Sequence, residues 1–300
     1  MALVEQRPTV LPEDKSQHVH LSLISPVDGT LQQVELYTPA CISGKPLPLV
    51  LAPHAITWTP DQEYEGGLEG LKRGYHRGWY GLPDKYEVLI AIPHGHHYRE
   101  AGCSCAGAAQ IIDMAYLIDY LPNNGFPIDE HRVYACGLSM GGHEALVLAG
   151  RYPNKIAGAA AFNPIVDLGA WQYDLVYSSS EEIRSYGTGM RIANEVGGLP
   201  EEAPALYAER NAMTYEEQLV QIPIMLYWSE RDLVVPRQVT HHAYALYQKV
   251  KALGATNPIS EFNHTRSHGA IGDNDQTNWQ LHEWCDYELA LQWLLIHQKA

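Results

Sequence analysis

The sequence Gly-Leu-Ser-Met-Gly at 137–141 constrains the fold of this chain more than any other segment. It follows an apolar run at 133–136, typical of a buried strand, and precedes a run at 143–149, typical of a helix. Gly-x-Ser-x-Gly between a strand and a helix predicts a nucleophile elbow, a sharp turn that lifts a serine hydroxyl above a sheet edge. Ser139 is therefore the predicted nucleophile, and the N–H of Met140 is a predicted oxyanion donor.

Apolar runs alternate with helical periodicity along most of the 300 residues. Such alternation predicts one α/β domain over 1–300, built on a doubly wound, mainly parallel, eight-stranded sheet. Strands are predicted at 18–24, 31–37, 47–53, 86–92, 132–138, 156–162, 222–228 and 257–263. Helices are predicted around 111–121 and at 140–151, 238–253 and 277–297.

The segment 168–218 interrupts this alternation between the sixth and seventh strands. It is polar and rich in Tyr and Gly. An insertion there would lie over the carboxyl ends of the strands, where ligands bind in open α/β sheets. It is therefore predicted to be a small cap or lid that contributes to the substrate pocket, with a surface excursion as the alternative.

The charge balance bounds the partners of the chain. It has 20 basic and 35 acidic residues, a net charge of −15, without a basic stripe. This argues against nucleic acid and anionic membranes and favours a soluble protein with a neutral or cationic ligand. The expected partner, a small-molecule ester or short peptide-like substrate, is indicated by the serine motif and not by the charge. The composition is compatible with a homo-oligomer.

Compartment is predicted from the N-terminus and the cysteines. No apolar signal core follows the first charges, no stretch approaches the length of a membrane span, and the five Cys form no framework spacing. The predicted location is the cytoplasm.

The partners of a nucleophilic serine are expected after later strands, in the order acid then histidine. Asp232 follows the predicted strand at 222–228 and is the predicted acid, with Asp167 and Glu230 as alternatives. His268 follows the last predicted strand and is the predicted base, with His264 as the alternative.

Together these motifs give a specific resemblance. The segments 137–142, 231–236 and 267–269 resemble the α/β-hydrolase superfamily, and 207–215 leading to 222–224 adds to the likeness. Within that superfamily the chain is most similar, over roughly 45–295, to the prolyl-oligopeptidase-type (S9) catalytic domain and to dienelactone-hydrolase-like esterases. The resemblance implies an α/β-hydrolase fold and the triad Ser139, Asp232 and His268.

The segment after the third strand departs from that family. Many members have His-Gly there, whereas this chain has Pro-His-Ala-Ile-Thr-Trp at 53–58. The second oxyanion donor is expected to be the N–H of Ile56 or Ala55.

Substrate contacts and metal ligands are less constrained by the sequence. Four aromatic residues could line an acyl or aromatic pocket: Trp58, Trp171, Tyr173 and Tyr177. The histidines at 94, 96 and 97 raise the hypothesis of zinc, but so close a loop spacing favours a polar cleft rim. No metal and no cofactor is expected.

The predicted function is hydrolysis of carboxylic esters through an acyl-enzyme intermediate. The alternative is a peptidase or acylamide hydrolase of the prolyl-oligopeptidase type, since the same triad cleaves amides. A non-catalytic binding protein on the same scaffold belongs to a different class, disfavoured because all three triad positions are filled in order.

Overall fold

The computed structural model describes residues 15–42, 44–56, 78–96, 103–179, 181, 184, 187–230, 232, 234–255, 257–263 and 286–299. Within these residues eight strands form one sheet. The strands are β1 (Gln17–Ile24), β2 (Leu31–Thr38), β3 (Leu47–Leu51), β4 (Leu89–Pro93), β5 (Ile128–Leu138), β6 (Gly158–Phe162), β7 (Ile224–Trp228) and β8 (Ile259–Asn263).

The order of the strands across the sheet is β1-β2-β4-β3-β5-β6-β7-β8. The pairs β1–β2 and β2–β4 are antiparallel, and the other five pairs are parallel. Every residue of β3, β4 and β6 is buried, as expected for parallel strands covered on both faces. The predicted doubly wound, mainly parallel, eight-stranded sheet is confirmed.

Helices cover the two faces of this sheet. They are α1 (Leu82–Tyr86), α2 (Ala108–Asn123), α3 (Met140–Arg151), α4 (Leu168–Val176), α5 (Thr188–Val196), α6 (Pro204–Arg210), α7 (Glu216–Leu219), α8 (Ala243–Ala252) and α9 (Tyr287–Leu294), with a 3₁₀ turn at Ala212–Tyr215. Helix α3 has the bounds that the sequence predicts, whereas α9 ends at Leu294, three residues before the end of the predicted helix 277–297. No helix among the described residues is long and apolar enough to cross a membrane.

Two of the boundaries that differ from the prediction have clear local causes. Strand β4 begins at Leu89 rather than at 86, because helix α1 extends to Tyr86 and its C-cap residue, Glu87, is in the left-handed region (φ 49°). Helix α8 begins at Ala243 rather than at 238. Arg237 has φ 61°, and the N–H groups of Thr240 and His241 bond to its carbonyl in a turn.

The segment 168–218 is largely helical, which its Gly- and Tyr-rich composition does not indicate. Helices α4 to α7 fill the connection between β6 and β7. Helices α4 and α5 contribute Leu168, Trp171 and Ile192 to an apolar cluster that also contains Met140 and Ile56. The insertion is therefore packed directly beside the predicted elbow, and its role as a lid stays a prediction.

Candidate active site

Ser139 occupies a sharp turn between β5 and α3. Its backbone has φ 56° and ψ −119°, a combination that non-glycine residues rarely adopt and that stores strain. The turn is held by two backbone hydrogen bonds: Ser139 N–H donates to Phe162 O over 2.8 Å, and Ser139 O accepts from His143 N–H over 3.0 Å. The side-chain oxygen is buried and has no hydrogen-bond partner among the described residues. A strained turn that holds an uncommitted hydroxyl is the geometry predicted for a nucleophile elbow.

The glycines on either side of Ser139 are required by close backbone contacts. A Cβ on Gly137 would lie 2.4 Å from the carbonyl carbon of Gly141. A Cβ on Gly141 would lie 1.9 Å from Pro53 O and 3.0 Å from His54 O. Because real Cβ atoms do not approach so closely, only glycine lets the elbow press against the loop that follows β3.

This close approach also brings the predicted oxyanion donors to one place. Met140 is the first residue of α3, so its N–H is one of the helix N–H groups without an intrahelical partner. Ala55 and Ile56 belong to the loop that packs on Gly141, and Ile56 shares an apolar cluster with Met140. Both expected donor segments therefore lie beside Ser139.

The ring of His54 fixes this loop. Its Nδ1 lies 2.7 Å from Ala55 O, and its Nε2 lies 3.0 Å from His94 O. A carbonyl oxygen only accepts hydrogen bonds and a neutral imidazole carries one N–H, so the tautomer of His54 sets which of the two carbonyls accepts it. The His54 side chain thus links the loop after β3 to the loop after β4.

A buried polar network supports the nucleophile helix from behind. Glu144 accepts hydrogen bonds from Ser104 Oγ (2.6 Å), Gln110 Nε2 (3.0 Å) and the N–H of Ala106 (3.2 Å). Burial raises the pKa of Glu144, and these donors oppose that rise. On the same helix His143 donates from Nε2 to Arg210 O over 2.5 Å. Helix α3 is thereby joined to α2 and to the insertion.

The predicted acid lies in the turn just after β7. Asp232 is 4% exposed, and its Oδ1 accepts the N–H groups of Val234 (2.9 Å) and Val235 (2.8 Å). Gln238 Nε2 lies 3.4 Å from Oδ2. These contacts fix the Asp232 carboxylate at the carboxyl edge of the sheet.

The two alternative acids are placed differently. Asp167 caps helix α4, with its Oδ1 accepting the N–H of Ala170 over 3.0 Å. Glu230 is exposed. The structure thus gives Asp167 a capping role and holds only Asp232 in a buried turn after β7.

Both candidate bases lie outside the described residues. Strand β8 pairs with β7 up to Trp228 and Asn263, so the chain enters segment 264–285 from the carboxyl edge of the sheet. His264 and His268 belong to that segment. The assignment of the base to His268 stays a prediction.

The predicted pocket aromatics that the structure describes fall into two environments. Trp171 is 1% exposed, and its Nε1–H donates to Val234 O over 2.7 Å. Tyr173 on α4 and Tyr177, the C-cap residue of that helix, are 57% and 67% exposed, with ring centroids 4.5 Å apart. Trp58 lies outside the described residues. Trp171 therefore holds the turn at 232–235, which carries the predicted acid and is called the acid turn below. The side chains of the tyrosine pair are exposed and available to a ligand.

The histidines after β4 do not converge. His94 Nε2 bonds to Glu35 Oε1 over 2.7 Å, whereas His96 Nδ1 bonds to Asp113 Oδ2 over 2.6 Å. His97 lies outside the described residues. The two described rings of this loop thus contact different carboxylates.

Sequence reasoning missed the supporting residues of the site. Trp171 is singled out by the sequence for substrate contact, yet its hydrogen bond goes to the acid turn. The contacts of Gln238 with Asp232 and of Glu144 with Ser104 have no sequence motif to mark them. The one available signal is a charged Glu144 within the apolar run of the elbow helix, because a buried charge needs partners.

Comparisons with known proteins agree with this arrangement. The sequence profile of the prolyl oligopeptidase family matches residues 93–290. Poly(3-hydroxyalkanoate) depolymerase C of Paucimonas lemoignei is 30% identical over 129 residues, which cover 39% of this chain and 28% of the depolymerase.

Solved structures share the fold at low sequence identity. The acetyl xylan esterase from Paenibacillus sp. R4 matches with a TM-score of 0.65 and 13% identity, over 99% of this chain and 88% of the esterase. An S-formylglutathione hydrolase from Agrobacterium tumefaciens gives 0.61 and 15%, over 100% of both chains.

The acylaminoacyl peptidase of Pyrococcus horikoshii gives a TM-score of 0.63 and 17% identity, over 85% of this chain but only 38% of the peptidase. The chain thus spans well under half the length of this peptidase and of the depolymerase. From the family profile, the strand order and the elbow, the chain belongs to the prolyl oligopeptidase family and has the α/β-hydrolase fold.

Proposed function

We propose that this chain is a serine hydrolase that cleaves carboxylic esters with Ser139, His268 and Asp232. The observation that carries the proposal is the elbow itself. Ser139 has φ 56° between a buried strand and the N-terminus of α3, and its buried hydroxyl has no partner among the described residues. Strain of this kind persists only where the surrounding structure holds it, and it concentrates at active sites.

The proposed chemistry is acyl transfer in two steps. His268 takes the proton of Ser139 Oγ as that oxygen attacks the ester carbonyl, and Asp232 orients the imidazole and stabilises its cation. The oxyanion is held by the N–H of Met140 and by that of Ile56 or Ala55. Collapse expels the alcohol with the proton from His268. Water then attacks the acyl-enzyme by the same route, which releases the acid and restores Ser139.

The amide-cleaving alternative has its own support. The family profile that matches the chain is named for an oligopeptidase, and one structural neighbour is an acylaminoacyl peptidase. The ester assignment is supported by an acetyl xylan esterase that aligns with 99% of this chain. Amides need protonation of a poorer leaving group, so a triad that cleaves amides also cleaves activated esters.

Two measurements test the proposal together. A fluorophosphonate probe should label Ser139, because an activated serine attacks phosphorus, and the label should disappear in Ser139→Ala. A panel of p-nitrophenyl esters and aminoacyl anilides then compares kcat/KM for the two bond types. Because either enzyme cleaves activated esters, efficient turnover of an aminoacyl anilide would replace the ester assignment by the peptidase one. Absence of labelling and of turnover would favour a binding protein on this fold.

A further inference from the structure

Two histidines and a glutamate meet on one face of the antiparallel edge of the sheet. His18 and His20 are two positions apart on β1, so their side chains point to the same face. The register of β1 and β2 places His20 directly opposite Glu35. His18 Nε2 lies 2.6 Å, and His20 Nδ1 2.8 Å, from the same oxygen, Glu35 Oε2. The three ligand-type atoms lie within 4.8 Å of one another.

A third imidazole fixes the other carboxylate oxygen. His94, which follows β4, places its Nε2 2.7 Å from Glu35 Oε1. The backbone N–H of His94 donates to Gln33 O over 2.9 Å, and this hydrogen bond anchors the loop after β4 to β2. Glu35 is therefore oriented by His94 on one oxygen and presents the other to His18 and His20.

The cluster is half enclosed. The side chains of His18 and Glu35 are 3% and 4% exposed, whereas that of His20 is 50% exposed. The ring of His18 stacks on Tyr37 with centroids 4.6 Å apart and planes 9° from parallel. Two ligand atoms are thus rigidly placed, and the third lies at the solvent boundary, where an ion can enter.

Burial of a carboxylate among three imidazoles is expensive for a purely structural contact. Apolar side chains of similar volume would often stabilise a sheet as well or better, because ionised groups lose their hydration on burial. The proposed hydrolysis uses none of these four residues. A metal ion bound by two imidazole nitrogens and one carboxylate oxygen would explain why these residues are placed together.

We propose that His18, His20 and Glu35 form a binding site for a divalent transition-metal ion of the Zn²⁺ type, in which His94 positions Glu35. Two histidines and one glutamate form a ligand set that Zn²⁺ accepts, with a fourth position left for water. Ligand distances of about 2.0–2.2 Å in a tetrahedral site require donor atoms about 3.3 Å apart. Oε2 lies 2.6 and 2.8 Å from the two nitrogens and has to move away from each by well under an ångström on ion entry. The two nitrogens lie within 4.8 Å of each other and have to reach the same separation of about 3.3 Å.

The site has a structural path to the candidate active site. The carbonyl oxygen of His94 lies 3.0 Å from Nε2 of His54, and the backbone of His54 packs against Gly141 in the elbow. A bound ion would therefore fix the loop after β4 and, through His54, the loop after β3. The role assigned to the ion is structural, and the hydrolytic chemistry proceeds without it.

The test is metal binding by the full chain after treatment with a chelator. Calorimetric titration with ZnCl₂ should show one tight site, and Co²⁺ should give the visible bands of a tetrahedral complex. His94→Ala removes the residue that positions Glu35 and should lower the affinity for Zn²⁺ about 10–100-fold. His20→Ala removes a ligand and should lower the affinity further. The melting temperature should rise with Zn²⁺ in the wild type and not in His20→Ala.

The controls separate this site from the other histidines of the chain, which number 15 in all. His131→Ala removes an exposed histidine at the far end of β5 and should leave binding unchanged. Glu35→Gln is the second ligand variant, and circular dichroism checks that both ligand variants fold. Because His20 is half exposed, His20→Ala remains informative if Glu35→Gln does not fold. Absence of stoichiometric uptake, or uptake unchanged in His20→Ala, would overturn the proposal.

Discussion

The indole N–H of Trp171 donates to the carbonyl oxygen of Val234 over 2.7 Å. The N–H of Val234 in turn donates to Oδ1 of Asp232 over 2.9 Å. One residue of the helical insertion therefore holds the turn that carries the predicted acid. This hydrogen bond is one of the links between the insertion and the predicted triad, and it joins residues that are 63 positions apart in the sequence.

The first prediction concerns this hydrogen bond. Trp171→Phe keeps most of the apolar body but leaves the buried Val234 carbonyl without its donor, which costs about 1–3 kcal/mol. The free energy of unfolding in urea should fall by that amount. Because the acid turn loosens, kcat should fall by a similar factor on short and bulky esters alike. A change in the ratio between the two esters would show instead that Trp171 contacts the acyl group.

The exposed tyrosines at 173 and 177, on α4 and at its C-cap, should affect substrate preference rather than stability. Tyr173 and Tyr177 are more than half exposed, so replacing either with Ala should leave stability within about 0.5 kcal/mol. If the insertion is a lid, these variants should change the ratio of kcat/KM between short and bulky acyl esters. Steady-state kinetics on a p-nitrophenyl ester series measures this ratio. Unchanged ratios in both variants would remove the pair from the pocket.

Strain at Ser139 can be measured directly. A non-glycine residue at φ 56° and ψ −119° costs about 1–3 kcal/mol, which glycine avoids. Glycine has an opposing effect, because the greater entropy of its unfolded chain lowers the free energy of unfolding by about 0.4–1 kcal/mol. The relief of strain is the larger effect, so Ser139→Gly should be more stable than Ser139→Ala by about 1 kcal/mol. Urea unfolding of the two inactive variants gives the difference. As a control, Ala208→Gly on the exposed face of α6 should be destabilising by about 1 kcal/mol.

The fourth prediction tests the acid. Asp232→Asn retains the oxygen that accepts the Val234 and Val235 N–H groups but loses the charge that orients the imidazole. A fall in kcat of about 10⁴ is expected, with little loss of stability. Asp167→Asn is the matched control, because asparagine caps a helix as well as aspartate does. A larger loss in Asp167→Asn would place the acid after β6.

The corresponding comparison tests the base. His268→Ala should abolish measurable turnover, whereas His264→Ala should retain most of it, since only one imidazole takes the proton of Ser139. Rates on one activated ester and fluorophosphonate labelling of both variants check this. The reverse result would exchange the two assignments.

A buried neutral histidine should make stability depend on pH. Burial lowers the pKa of His143 from 6.5 to about 4, so only the unfolded chain binds the proton between these values. Stability contributed by the neutral ring is therefore full above pH 6.5 and is lost as the pH falls toward about 4. The slope is about 1.4 kcal/mol per pH unit for one proton.

His143→Gln isolates this contribution. Glutamine can still donate to the Arg210 carbonyl but cannot be protonated in this range. Below pH 6.5 the free energy of unfolding, measured in urea, should depend less steeply on pH, by the slope that one proton contributes. Burial also lowers the pKa of His242, which accounts for part of the pH dependence that remains. An unchanged slope would show that the folded chain takes up the proton at His143 as easily as the unfolded one.

Local pattern was enough to determine the sheet, the elbow and helix α3. Burial of a strand on both faces leaves a continuous apolar run in the sequence, and the contact that requires Gly137, with Gly141, lies within one turn. Ser139 and Asp232 could be chosen because they follow such strands, where the fold family places a nucleophile and an acid.

The tertiary structure decided how residues distant in the chain meet. The bond of Trp171 to Val234, and the meeting of His18, Glu35 and His94, depend on the register of neighbouring strands and on helix packing. Glu35 lies 17 residues from His18 and 59 from His94, and no local period relates them. The sequence pattern indicates which residues are buried and which form turns. Which side chains meet is decided by the free energy of folding of the whole core, because it depends on how strands and helices pack together.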